Sequence, residues 1–159
     1  MGDRPDIRPY GALDGTQVAG LETTLGRRLS PGYRAWLAAT NGAYLKGEHG
    51  VPGLPFVLFE ERPLLGVHPE YQPFDLAAAE TLHRRPWLPA DYLVVAVPSG
   101  GLLAVRLTAP AADAVVFLPE DAMTGQPGPA ADAARERHLV PVAPNIGDFG
   151  ARLVPFSAG

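Results

Sequence analysis

The segment between residues 93 and 118 restricts the possible folds of this chain more than any other. It contains three apolar runs of strand length, Leu93–Val97, Leu102–Leu107 and Ala114–Leu118, and a Pro-Ser-Gly-Gly turn separates the first two. The first run is apolar throughout, as in a central strand that is covered on both faces. The second run alternates between an aliphatic face and a mixed face. Two strands joined by a tight turn and followed by a third predict an antiparallel meander.

Two helices are predicted before this sheet. The first lies between Asp14, which has N-cap spacing, and Gly26, a residue type that ends helices. The second begins at the N-cap Ser30 and stops at the Asn41–Gly42 pair, where we expect a positive φ angle. Apolar side chains recur at helical spacing in both helices: Val18, Leu21 and Leu25 in the first, and Tyr33, Trp36 and Leu37 in the second. From this stripe we expect Trp36 to be buried between the second helix and the sheet.

The other predicted elements are shorter. Apolar bursts at Phe56–Phe59 and Leu64–Val67 are candidate strands. A third helix is expected from about Asp75 to His83, because Pro86 ends helices. Residues 130–138 are predicted as a short exposed helix. A closing helix is expected after Asn145, which has N-cap spacing and precedes a buried stripe of Ile146, Phe149 and Leu153.

The order of these elements predicts an α+β fold, with an N-terminal helix pair and a C-terminal helix packed on a mainly antiparallel sheet. The length of 159 residues suits one domain, and 47% hydrophobic residues suffice for its core. We divide the chain into an N-terminal arm (residues 1–13), a single domain (residues 14–155) and a C-terminal tail (residues 156–159).

Residue types that carry catalysis or bind metals are scarce. The absence of cysteine excludes disulfide scaffolds, thiol nucleophiles and cysteine-ligated zinc. Ser99 lies in V-P-S-G-G, which joins two strands and lacks the first glycine of the G-x-S-x-G nucleophile motif. The histidines have no i, i+4 pair for a helical metal site, and we interpret them as surface or rim residues: His49, His68, His83 and His138. We therefore expect a protein that is not an enzyme, without catalytic residue, metal or cofactor.

Negative charge is concentrated in the middle of the chain. The net charge is −4, but residues 51–125 hold four basic and nine acidic side chains, a net −5. This distribution favours a basic protein partner over nucleic acid. No apolar run reaches the length of a membrane span, and the N-terminus lacks the apolar stretch of a secretory signal. We therefore expect a cytoplasmic protein that engages no membrane and no small-molecule substrate.

Residues 18–42, V-A-G-L-E-T-T-L-G-R-R-L-S-P-G-Y-R-A-W-L-A-A-T-N-G, resemble the signature of the SUKH superfamily. This superfamily groups fungal cell-wall-assembly regulators with bacterial immunity proteins. The matching positions are Val18, Glu22, Leu25, Gly26, Leu29, Tyr33, Trp36, Leu37, Asn41 and Gly42. The chain departs from the pattern at Pro31, which follows the leucine by two residues. The resemblance extends more loosely over residues 14–155, and we interpret the signature residues as structural.

The resemblance implies a non-enzymatic immunity protein that binds and neutralises a toxin domain. A nuclease-type toxin has a basic cleft, which acidic side chains of an inhibitor can occupy. The candidate binding residues are the acids of the middle region with two tyrosines as anchors: Tyr44, Glu48, Glu60, Glu61, Glu70, Tyr71, Asp113, Glu120 and Asp121. Two other functions remain open at this point. One is a regulatory scaffold that binds a cellular protein, and the other is a small hydrolase that uses the unplaced histidines.

Overall fold

The computed structural model describes residues 4–123 and 135–156 of the chain. In chain order its strands are β1 (Ile7–Pro9), β2 (Ala43–Leu45), β3 (His49–Gly50), β4 (Tyr92–Ala96), β5 (Gly101–Arg106), β6 (Val115–Pro119), β7 (Val140–Ala143) and β8 (Val154–Pro155). Its α-helices are α1 (Gly15–Leu25), α2 (Pro31–Thr40), α3 (Leu76–Ala79), α4 (Arg85–Trp87) and α5 (Ile146–Arg152). Of the helix predicted over residues 130–138, residues 130–134 lie outside the described part, as do residues 157–159 of the predicted tail.

An antiparallel sheet with the strand order β4-β5-β6-β7 forms the centre of the fold. The predicted meander is therefore confirmed, and β7 extends it by one strand. β4 is buried along its whole length and β5 in all but its last residue, Arg106, because helices or loops cover both faces. Leu93 pairs with Val105, and Leu103 pairs with Phe117, so the middle of the sheet is entirely apolar.

Helix α1 begins and ends as the sequence predicts. The Asp14 carboxylate accepts the backbone N–H of Gln17 at 2.8 Å, and the Gln17 side chain accepts the N–H of Asp14 at 2.9 Å. This reciprocal capping box satisfies two donors that a helix start would otherwise leave unpaired. Gly26 ends the helix in the left-handed conformation, with φ at 70°. The predicted face is buried: Val18, Leu21 and Leu25.

Helix α2 is capped by a residue distant in sequence. Ser30 occupies the N-cap position, but its hydroxyl makes no cap hydrogen bond and is buried. Pro31 has no N–H, so the first donors are the backbone N–H groups of Gly32 and Tyr33. They donate to the Asp113 carboxylate at 3.2 Å and 3.0 Å. Ser30 therefore occupies the predicted N-cap position, but Asp113 supplies the side-chain acceptor of the cap.

The expectation of a buried Trp36 is also wrong. Tyr33 and Leu37 are buried, whereas Trp36 is half-buried and stacks on the Tyr33 ring with centroids 5.8 Å apart. Successive helical residues are about 100° apart around the axis. Tyr33 and Leu37 therefore share the core direction, and Trp36 lies to one side of it.

Two short strand pairs close the structure around the sheet. β1 pairs antiparallel with β2, and Ile7 is buried opposite Leu45, although the first 13 residues were expected to form an arm. β3 pairs with β8 in the same way. The short apolar runs Phe56–Phe59 and Leu64–Val67 do not form the expected strands. They make only isolated β-bridges, such as that between Ala43 and Leu64. The strand β1 was not predicted, because three residues are too few to show the alternation that identifies a strand in sequence.

The third predicted helix is longer and less regular than expected. α3 continues into the π-helical segment Glu80–Arg84, and α4 follows directly, so the helical path passes Pro86 and ends at Trp87. In a regular α-helix the proline ring would press on the carbonyl four residues earlier. The wider π turn ends at Arg84, two residues before this proline. No helix in residues 4–123 and 135–156 is long and apolar enough to cross a membrane.

Candidate functional site

A groove opens at one end of the central sheet, where β4 and β6 end and β5 begins. Two cavities of about 420 and 430 Å³ lie side by side there and share Arg62, His83 and Val97 as lining residues. We call the pair the end groove. The cavity on the Glu61 side is its first half, and the cavity on the Glu120 side is its second half. Volumes of this size are typical of ligand-binding pockets.

The two halves of the end groove differ in lining. Prolines and aliphatic side chains line much of the first half, and its rim carries Leu82, which is 53% exposed. The second half is lined by the turn between β4 and β5, by Trp87 and by the short 3₁₀ segment Glu120–Ala122 that follows β6. The end groove therefore combines an apolar compartment with a more polar one.

The end groove carries more negative than positive charge. Arg62 donates to the backbone carbonyl of Val97 at 2.9 Å, which holds its guanidinium at the junction of the two halves. Burial lowers the pKa of His83 from its ordinary value, and the positive charge of Arg62 adds to this shift. Both effects disfavour the charged form of the His83 imidazole. Glu61 and Glu120 are exposed, and neither carboxylate accepts a hydrogen bond from a described residue.

A buried ionic cluster lies in the π-helical segment that carries His83. The Glu80 carboxylate is 3% exposed and binds two arginines. Arg84 forms a bidentate pair with it, with nitrogen–oxygen distances of 3.0 and 2.8 Å, and Arg27 donates to it from the loop after α1. Burial lowers the pKa of the Arg27 guanidinium, and the Glu80 charge opposes that shift. The cluster fixes the π-helical wall of the groove against the helix pair.

The structure brings some of the predicted binding residues together at the end groove. Glu61 lines the first half and Glu120 lines the second. Glu60 and Asp121 adjoin them in the chain, but the Glu60 carboxylate accepts the backbone N–H of Gly47 at 3.0 Å. Each of the two neighbouring acidic pairs therefore contributes one residue to the lining of the end groove.

The two predicted tyrosines lie elsewhere, in an aromatic cluster that the sequence analysis missed. Tyr10 contacts Tyr44 and His68 with ring centroids 6.5 and 4.8 Å apart, and Phe74 contacts Tyr71 at 4.6 Å. Tyr71 is 51% exposed. The predicted acid next to it, Glu70, is exposed and lies 3.8 Å from His68. Only the folded chain brings together aromatic rings from three such distant segments.

Two further predicted binding residues lie apart from the groove. Asp113 lies at the opposite end of the β5–β6 hairpin from Glu120, and both of its oxygens accept N–H groups of α2. Glu48 is exposed in the loop between β2 and β3, where its backbone carbonyl accepts the N–H of Phe156. Asp113 therefore has a structural role.

His49 is not a surface or rim residue, contrary to expectation. Its side chain is fully buried, with Nε2 2.7 Å from the Asp6 carboxylate and Nδ1 2.9 Å from the carbonyl of Gly47. Hydrogen bonds from Arg4 and His49 hold the pKa of Asp6 well below its usual range. Arg4 also donates to the carbonyl of Leu153 at 2.8 Å, so this cluster joins the two ends of the fold.

The second half of the end groove also places His83 and Ser99 together with Glu120. A Ser–His–Glu arrangement would need a hydrogen bond between nucleophile and base. Among the described residues no hydrogen bond joins His83 to either of the other two side chains. Within the same residues, no three His, Cys, Asp or Glu side chains form a group that could hold a metal ion.

The signature residues form internal contacts. The Glu22 carboxylate accepts the backbone N–H of Leu29 at 2.9 Å and contacts Arg34 at 3.3 Å, which closes the loop between α1 and α2. The Asn41 side chain accepts the N–H of Val67 at 2.6 Å. Gly42 has φ at 84°, as expected, and a Cβ there would lie 2.5 Å from the carbonyl oxygen of Leu64.

Comparison with known protein families agrees with this architecture. The family model described as SMI1 / KNR4 family (SUKH-1) matches residues 13–152. A search of the curated proteins finds no match. The matched range includes the helix pair, the central sheet, the end groove and α5.

Proposed function

Because this chain belongs to the SMI1 / KNR4 family (SUKH-1), we propose that it is a non-enzymatic immunity protein that binds and neutralises a toxin domain. The partner in this proposal is a cytoplasmic nuclease or another enzyme that modifies nucleic acids. Such an enzyme holds a polyanion and therefore has a basic cleft. The contact surface in this proposal is the end groove with its acidic rim.

The observation that carries this proposal is that two carboxylates at the end groove have no hydrogen-bond partner among the described residues. Glu61 and Glu120 are exposed and accept no hydrogen bond from the described residues, so no internal contact must break before they bind a cation. Among the described residues that line the two cavities, Arg62 and His83 are the only basic side chains, and burial lowers the pKa of His83. A negatively charged cleft increases the rate at which a basic partner associates.

The test begins with co-expression of this protein with the product of the neighbouring open reading frame, followed by affinity capture. We expect a stoichiometric complex and loss of the partner's toxicity. Glu61→Lys and Glu120→Lys should each slow association, and the wild-type association rate should fall as salt rises, because screening shortens the Debye length to about 8 Å at physiological ionic strength.

A matched control is Asp148→Lys, an exposed acid in the first turn of α5 that does not line the groove. It changes the net charge by the same amount and should leave association nearly unchanged. If all three reversals slowed association equally, net charge and not the groove would steer the partner, and the proposed contact surface would be wrong. Capture of a cellular protein with no toxin activity would favour the alternative function, a regulatory scaffold.

A further inference from the structure

The shape of the end groove indicates which part of a partner it receives. Its two halves meet at Arg62, His83 and Val97, so an occupant can reach both without leaving the groove. Each half has a volume of the order that holds side chains and not a folded element. The occupant is therefore an extended segment or a loop tip that places neighbouring side chains in the two halves.

The first half suits an apolar side chain. Its rim residue Leu82 is 53% exposed, and Val97 and Pro73 line the same cavity. Asp75 also lines it, but its carboxylate already accepts the N–H groups of His68 and Ala78 at 2.9 and 3.3 Å. An apolar side chain placed here covers Leu82. It does not displace the hydrogen bonds that the Asp75 carboxylate already accepts.

The second half suits a cation. Glu120 supplies a carboxylate that no described residue binds, and Trp87 lines the same cavity. The guanidinium carbon of Arg135 lies 4.8 Å from the Trp87 ring centroid, so one face of this ring is already covered by a cation. Attraction of a partner's cation in this half therefore comes from the carboxylate, with the indole as an apolar wall.

We infer that the end groove binds a partner segment in which a leucine-like apolar side chain lies beside an arginine or lysine, with the apolar group in the first half and the cation at Glu120. The exposed Glu61 carboxylate, which lines the first half, receives a second basic residue. This inference rests on the proposed function for the identity of the natural partner, and the chemistry of the segment follows from the groove.

The test uses short peptides, so that it does not depend on finding the partner. The probe is N-acetylated, C-amidated Arg-Leu-Arg, and the comparison peptides are Arg-Ser-Arg and Glu-Leu-Glu with the same end groups. The Trp36→Phe variant leaves Trp87 in the groove as the only tryptophan, and its fluorescence reports occupancy. Calorimetric titration of the wild-type protein gives the same comparison without any substitution.

We expect Arg-Leu-Arg to bind at least about tenfold more tightly than Arg-Ser-Arg, since burial of a leucine is worth more than 1.4 kcal/mol. Glu-Leu-Glu should not bind measurably. Leu82→Asp should abolish the preference for Arg-Leu-Arg over Arg-Ser-Arg. The matched control is Val154→Asp, which changes an exposed aliphatic residue of β8 outside the groove and should retain that preference.

Equal affinity for Arg-Leu-Arg and Arg-Ser-Arg would overturn the inference, as would equal effects of Leu82→Asp and Val154→Asp. Self-association of the wild-type protein that Leu82→Asp abolishes would also overturn it, because a second copy would then occupy the groove. The proposed function would survive any of these outcomes if a co-expressed toxin still bound the protein. A toxin that fails to bind while the peptide preference holds would reject the proposed function alone.

Discussion

Carboxylates close to the surface serve both the helix pair and the end groove, but they differ in whether they have internal partners among the described residues. Glu22 closes the loop between α1 and α2. Asp113, which lies between β5 and β6, caps the start of α2. Glu61 and Glu120 at the groove accept no hydrogen bond from the described residues. A carboxylate with internal partners stabilises the fold, whereas one without them is available to a binding partner.

This contrast separates the most recognisable part of the chain from the part proposed to bind. The family model matches residues 13–152, and the signature residues within residues 18–42 form caps, loops and core contacts. Substitutions in the helix pair should therefore change the free energy of unfolding. Substitutions of the groove carboxylates should change binding and leave stability almost unaffected.

The largest effect is expected from Glu80→Gln, which tests the buried cluster that joins the two regions. Removal of its charge leaves the mostly buried Arg27 and Arg84 without their counter-charge, and unfolding should become easier by about 3–5 kcal/mol. Urea denaturation measures the difference. The control Glu136→Gln removes a carboxylate that is 45% exposed beside Arg106 and should cost under about 1 kcal/mol. Similar losses in both variants would contradict the assigned role of burial.

A smaller but still large effect is expected from Gly42→Ala in the helix pair. The positive φ of 84° and the contact of a Cβ with the Leu64 carbonyl should together cost about 2–3 kcal/mol. Gly53→Ala is the matched control, because Gly53 has φ at 88° with open space around a Cβ. It should cost about 1 kcal/mol. Equal values from thermal denaturation would mean that the contact with Leu64 has no energetic weight.

Asp113→Ala should remove the cap of α2 and destabilise the fold by about 1 kcal/mol. Denaturation curves of this variant and of Asp121→Ala measure the difference. Asp121 is exposed next to the groove and should change stability by less than about 0.5 kcal/mol. If Asp113→Ala instead weakened partner binding at full stability, the comparison between the two regions would fail.

The smallest effect on stability is expected from the double variant Glu61→Gln and Glu120→Gln. Neither side chain binds a described residue, so the free energy of unfolding should stay within about 0.5 kcal/mol of the wild-type value. Affinity for Arg-Leu-Arg should nevertheless fall several-fold, measured by the same titration as above. A loss of stability above about 1 kcal/mol would show that these carboxylates serve the fold.

Local patterns in the chain were sufficient to predict much of the fold. The capping box at Asp14, the left-handed stops at Gly26 and at the Asn41–Gly42 pair, and the meander between residues 93 and 118 are present as predicted. Each depends on residues close in sequence: a side chain three positions from its backbone partner, a glycine at a helix end, or alternation along one strand. Interactions of this range leave a trace in the order of residues.

The tertiary structure alone decided how the polar residues are used. Asp113 caps a helix some 80 positions earlier in the chain, His49 is buried against Asp6, and Glu61 and Glu120 meet at one groove. No local pattern distinguishes these carboxylates, because each is an acid in a turn or beside a strand. Their difference arises only when distant segments pack and leave some oxygens with backbone donors and others facing solvent. The sequence thus determined the first two helices and the central meander, and packing determined which acids remained available to bind.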